Sequence, residues 1–114
     1  MLPLNAVKVL EYLAPVGHSL YAAWFDSLSP PAAAKVAVAL ARLSQGNFSN
    51  VKSLVGGIHE YRINFGPGYR MYFGKDGERV VLLLGGGTKK RQQKDIADAL
   101  SCWHDYKRRK SKET

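Results

Sequence analysis

Across residues 56–84 apolar and polar side chains alternate in the two-residue period of a half-buried strand, and turn-forming residues interrupt the pattern twice. Tyr61, Ile63 and Phe65 precede Gly66-Pro67-Gly68, Tyr69, Met71 and Phe73 follow it, and Asp76-Gly77 separates these from Val80, Leu82 and Leu84. A three-residue turn at 66–68 pairs Phe65 with Tyr69, Ile63 with Met71 and Tyr61 with Phe73, placing the large apolar groups on one face. A slip of one residue would mix the faces. Asp76-Gly77 supplies the positive φ of a two-residue hairpin turn, which pairs Phe73 with Val80 and Met71 with Leu82. The pattern therefore predicts a three-stranded antiparallel sheet with an apolar face carrying Val80, Leu82 and Leu84 as well. The other face is cationic, with Asn64 opposite Arg70, Arg62 opposite Tyr72, and Glu60 beyond them.

Upstream, residues 6–13 are rich in valine and leucine and predict a first strand. Ser19 is an N-cap for a helix carrying Leu20, Trp24, Phe25 and Leu28. Pro30-Pro31 ends that helix and opens a second, alanine-rich one over residues 32–44, with Val36, Leu40 and Leu43 on one stripe and Gly46 closing it. A short strand is expected at 51–55, and Gly85-Gly86-Gly87 is expected to terminate the last strand. From about Arg91 onward, Ile96, Ala99, Leu100 and Trp103 form the stripe of a final helix. The expected architecture is α+β: an antiparallel sheet with a helical hairpin and a C-terminal helix packed on its apolar face. The opposite face is left as an open, concave, cationic floor.

The 114 residues suffice for one domain, expected over 1–114, with a basic tail at about 107–114. Seventeen Lys and Arg against nine Asp and Glu give a net charge of +8, which favours polyanionic partners, nucleic acid or an acidic protein. The tail (Lys107, Arg108, Arg109, Lys110, Lys112) is either a solubilising end or a binding element. No apolar run is long enough to span a bilayer and no signal-peptide pattern opens the chain, so a cytoplasmic protein without membrane partners is expected. Cys102 is the single cysteine, expected as a small semi-buried helical residue, and His18, His59 and His104 lack metal-ligand spacing. No metal or other cofactor is expected.

Trp24-Phe25-Asp26-Ser27-Leu28, Gly46-Asn47, Gly57-Ile58-His59-Glu60-Tyr61-Arg62-Ile63, Phe65-Gly66-Pro67-Gly68-Tyr69-Arg70-Met71-Tyr72-Phe73, and Gly86-Gly87-Thr88-Lys89 with Gln92 and Asp95-Ile96 resemble the addiction-module killer proteins, HigB-like toxins of the RelE/ParE superfamily. The resemblance covers nearly the whole chain. It implies a RelE-like fold and a bacterial or phage toxin of a type II toxin-antitoxin module. It also implies a cognate antitoxin, a small helix-turn-helix protein encoded beside the toxin. The activity implied is metal-independent cleavage of mRNA in the ribosomal A site, which inhibits translation, with ribosome and mRNA as partners. By similarity, Arg62, Arg70, Tyr72 and Lys89 fall where related toxins carry RNA-binding or catalytic groups. Family members commonly have Asp where this chain has Thr88, and leucine where it has Tyr61.

Cutting RNA through its own 2′-hydroxyl asks the protein for alignment, charge neutralisation and proton transfer. Arginine grips two phosphate oxygens and keeps its charge, a role assigned first to Arg70 and then to Arg62. Tyr72 is expected to stack on a base or orient a phosphate, and Lys89 to approach the leaving oxygen or the scissile phosphate. Glu60 is an orienting group, held in an ion pair with Arg62, and His59 turns to the apolar side. Lys52, Lys90 and Arg91 are peripheral phosphate contacts or solvated surface charge. Two other readings stand beside the nuclease: a ParE-like toxin that binds a protein such as DNA gyrase without catalysis, and an inactive toxin homologue.

Overall fold

A computed structural model describes residues 6–113, so both ends of the expected domain, and with them the last tail position, lie outside the described residues. The elements run β1 (Lys8–Glu11), α1 (Leu20–Asp26), α2 (Pro30–Ser44), β2 (Val51–Ser53), β3 (Ile58–Ile63), β4 (Tyr69–Asp76), β5 (Val80–Thr88) and α3 (Gln92–Glu113). The local stop and start signals act as expected. Ser19 Oγ accepts a hydrogen bond from Ala22 N at 3.0 Å, and Ser29 Oγ one from Ala32 N at 3.4 Å, with Pro30 filling a first-turn position that has no donor duty. Gly46, at φ +78, takes the left-handed conformation that ends α2.

The sheet has five strands in the order β1-β5-β4-β3-β2 and is mixed: β1 runs parallel to β5, and the other neighbours are antiparallel. β1 and β2 are shorter than the valine-rich segments at 6–13 and 51–55 suggest. The β3–β4 register differs from the expected one by two residues: Tyr61 faces Met71, Ile63 faces Tyr69, and Arg62 faces Arg70 where Asn64 was expected. The connection is consequently the longer loop 64–68, closed by Gly68 N donating to Phe65 O at 3.0 Å. An even slip preserves which side chains share a face, so the expected arginine-bearing face survives it.

The β4–β5 register departs by four residues from Tyr69 to Tyr72 but by three from Phe73 to Asp76, and that odd departure inverts faces along the Val80–Leu83 run. Phe73 faces Leu83 and Asp76 faces Val80, with loop 77–79 between the strands, and an irregularity between Tyr72 and Phe73 leaves Leu84 as an extra residue. Val81 and Leu83, not Leu82 and Leu84, lie with Met71, Phe73, Tyr61 and Ile63 against Tyr21, Val36, Ala39 and Leu43 of the helical hairpin. Leu82 and Leu84 join Tyr12, Ile58 and Tyr72 on the reverse face, against Ala99, Cys102 and Trp103 of α3.

The helices therefore occupy both faces, correcting the one-sided packing expected from alternation. The unbroken run Val80-Val81-Leu82-Leu83-Leu84 is the composition of a strand buried on both sides. Nor do the glycines terminate β5, which continues to Thr88. A Cβ on Gly86 would lie 2.3 Å from the Trp24 ring, and one on Gly87 would lie 1.9 Å from Asp95 Oδ2. Gly86 and Gly87 thus leave room for α1 on one face and α3 on the other. Gly74 does the same for Trp103.

Candidate functional site

α3 covers much of the face expected to be an open floor and leaves its cations only at the end where α3 begins. There, Glu60 on β3 is fully buried. Its Oε1 accepts from Arg62 Nε at 2.9 Å, its Oε2 accepts from Gln92 Nε2 at 2.8 Å, and Arg70 Nε stands 3.6 Å from Oε2. Arg62 and Arg70 are direct cross-strand partners, an arrangement in which like charges repel. The carboxylate sets a negative charge against both guanidinium groups and Gln92 locks it from the first turn of α3. The two arginines differ in access: the Arg62 side chain is 49% exposed and that of Arg70 11%.

Tyr72, opposite Glu60, is fully buried beneath α3 and is in no position to stack on a base in this conformation, which corrects the role expected of it. Burial, and then the neighbouring Glu60 and Asp95 charges, push its pKa well above the ordinary tyrosine range. Tyr72 Oη and Asp95 Oδ2 are buried without a hydrogen-bond partner. Burial likewise raises the Asp95 carboxyl above its usual value. Asp95 sits in the first turn of α3, where the helix dipole favours a negative charge and opposes part of that shift.

The glycine turn joins the remaining cations to this cluster. Lys89 N donates to Gly68 O at 3.1 Å, and Arg70 Nη1 approaches the same oxygen at 3.5 Å. Lys89, Lys90 and Arg91 form a single 3-10 turn between β5 and α3, all exposed. Lys52 lies opposite Glu60 on β2, also exposed. The structure thus gathers Arg62, Arg70, Glu60 and Lys52 across three strands, sets Lys89 beside them, and buries Tyr72 below. His59 faces the hairpin side as expected, stacked on Phe73 at 5.3 Å with its pKa lowered by burial, and takes no part. Gln92 and Asp95 were assigned no role from the sequence, because their place in the site depends on the path of α3 across the sheet.

The expected basic tail is the C-terminal part of α3, helical through Glu113. Arg109 donates to Leu13 O at 2.6 Å and pairs with Asp105, which accepts from Tyr12 Oη at 2.6 Å. Lys110 and Tyr106 both bind Asp76. Part of the positive charge is therefore spent on docking the helix. No helix among the described residues is long and apolar enough to cross a membrane.

No protein-family model matches the chain. An uncharacterised protein of Haemophilus influenzae is 46% identical to it over 68 residues, a match spanning 60% of this chain and 69% of the relative.

Proposed function

The chain belongs to one family with that Haemophilus influenzae protein, and we propose that it is the toxin of a type II toxin-antitoxin module, a RelE-like, HigB-like endoribonuclease that cuts mRNA on the ribosome. The observation that carries this reading is the pair of cross-strand arginines braced on a buried carboxylate, with Lys89, Lys90, Arg91 and Lys52 exposed around them. Fixed cations at an accessible sheet end suit a phosphodiester in which negative charge builds as a bond forms to phosphorus.

In the proposed reaction the 2′-hydroxyl gives its proton to water as it attacks the adjacent phosphorus, and the 5′-oxygen of the next nucleotide leaves, taking up a proton from solvent, to give a 2′,3′-cyclic phosphate and a 5′-hydroxyl. Arg62, whose Nε is engaged by Glu60, has its terminal nitrogens available for a phosphate oxygen. Arg70, more enclosed, supplies a fixed positive charge beneath it; their exposures favour Arg62 for first contact, the reverse of the order assigned from sequence. Lys89 is the nearby cation for the leaving oxygen. A cognate antitoxin, an acidic segment of a small helix-turn-helix protein encoded alongside, would neutralise the cluster.

A second reading has an observation in its favour. Glu60 is tied to three side chains and Tyr72 is enclosed, so neither is placed to take a proton from a bound strand. That suits a ParE-like toxin that grips a protein target such as DNA gyrase. The two readings separate in Arg62→Ala and Arg70→Ala. For the nuclease, each substitution lowers cleavage of ribosome-bound mRNA by about 100-fold to 1,000-fold, the loss seen when one preorganised donor is removed. The circular dichroism spectrum should stay that of the folded protein. Toxicity that survives both substitutions, or cleavage that persists at the wild-type rate, contradicts the assignment.

A further inference from the structure

A groove of about 590 Å³ lies between α2 and the β2–β3 edge, and it is lined by Lys35, Arg42, Lys52 and Arg62 with no carboxylate among its described lining residues. Lys35 and Arg42 stand two turns apart on the outward face of α2, both exposed, while Val36, Ala39 and Leu43 of the same helix are buried in the core. Lys35 Nζ sits 5.5 Å from the centre of the Phe65 ring, which holds its charge over the loop that joins β3 to β4. Asn50 and Asn64 add neutral hydrogen-bonding groups to the walls.

Arg62 belongs both to this groove and to the cluster around Glu60, and Lys52 lies directly opposite Glu60. The cationic surface thus continues from the proposed cleavage site around the β2 edge to α2. We infer that this groove holds the phosphate backbone of the RNA strand flanking the scissile bond, fixing its path without reading its sequence. The inference rests on the nuclease reading of the Arg62–Arg70 cluster. A backbone track fits better than a peptide cleft because Val38 is the one well-exposed large apolar side chain in the lining, whereas peptide docking draws on several apolar anchors.

The test uses the intact protein, a single-stranded RNA oligonucleotide made uncleavable by 2′-O-methylation, and fluorescence anisotropy across a salt series. Lys35→Ala with Arg42→Ala removes two cations that lie outside the proposed chemistry. The slope of log affinity against log salt should then flatten by about 1.4, at about 0.7 per phosphate contact on a single strand. Lys8→Ala with Arg79→Ala, which removes the same charge elsewhere, should leave the slope unchanged.

A wild-type protein that binds and cuts RNA while the groove variant keeps the full slope overturns the groove and leaves the nuclease intact. Equal flattening by both pairs overturns it too, since only net charge then matters. A variant that loses affinity for a glutamate-rich peptide but not for RNA reassigns the groove to an acidic protein segment. A wild-type protein that neither binds nor cuts RNA overturns the functional reading and the groove together.

Discussion

Glu60 is the residue on which the site turns. Burying a carboxylate costs several kcal/mol unless charge and hydrogen bonds compensate, and here two guanidinium groups and an amide do so. Removing one member of such a group strands the others, so Glu60→Ala leaves Arg70 enclosed beside a second arginine. The substitution should lower unfolding stability by about 3 kcal/mol, read from urea midpoints. A variant as stable as the wild type would mean that the carboxylate does not brace the arginines. The presence of Arg62, Arg70 and Glu60 on one face was legible from alternation alone, because the two-residue slip in register keeps parity. Gln92 was not legible as their partner, nor was Gly87 as the space for Asp95, since both depend on an element distant in sequence.

Among the elements, α3 departs most from what the sequence suggests. Its apolar stripe was legible, but the face it covers was not: the run Val80-Val81-Leu82-Leu83-Leu84 fits either a shifted alternating strand or one buried on both sides, and the extra residue at Leu84 decides it through packing. Helix boundaries, set by local features such as Ser19, Pro30 and Gly46, were read more closely. The two ends of α3 should respond oppositely to acid. Hydrogen bonds from Lys110 and then Tyr106 hold the Asp76 carboxyl below its ordinary 3.8, and Tyr12 and then Arg109 do the same for Asp105. Their contribution to docking is present above about pH 3.8 and is lost as pH falls through the lower folded values. Asp95, raised by burial, is instead relieved when it takes up a proton, so its end of the helix gains on acidification. Amide exchange at about pH 3, corrected for intrinsic rates, should show lost protection around Asp105–Glu113 and none lost around Gln92–Ala99. Uniform loss along α3, or loss confined to its N-terminal turns, would contradict these assignments.

At the scale of the whole molecule, the net charge of +8 is unevenly employed. Lys110 and Arg109 fasten α3, Arg62 and Arg70 are set around Glu60, and Lys52, Lys89, Lys90 and Arg91 are left to solvent at the same end of the sheet. For the proposed nuclease such a surface suits phosphates but has little means of bending an arbitrary strand into line for attack by its 2′-hydroxyl, and Glu60 and Tyr72 are both enclosed. On the nuclease reading the ribosome provides that alignment. Primer extension on one message presented naked and on translating ribosomes, with equal amounts of the purified protein, tells whether the Arg62–Arg70 cluster cuts mRNA on the ribosome. New 5′ ends should appear within the ribosome-bound message, far faster than on naked RNA, and should disappear with Arg70→Ala. Equal cutting of both, or no cutting by a protein that still arrests growth, would contradict the account.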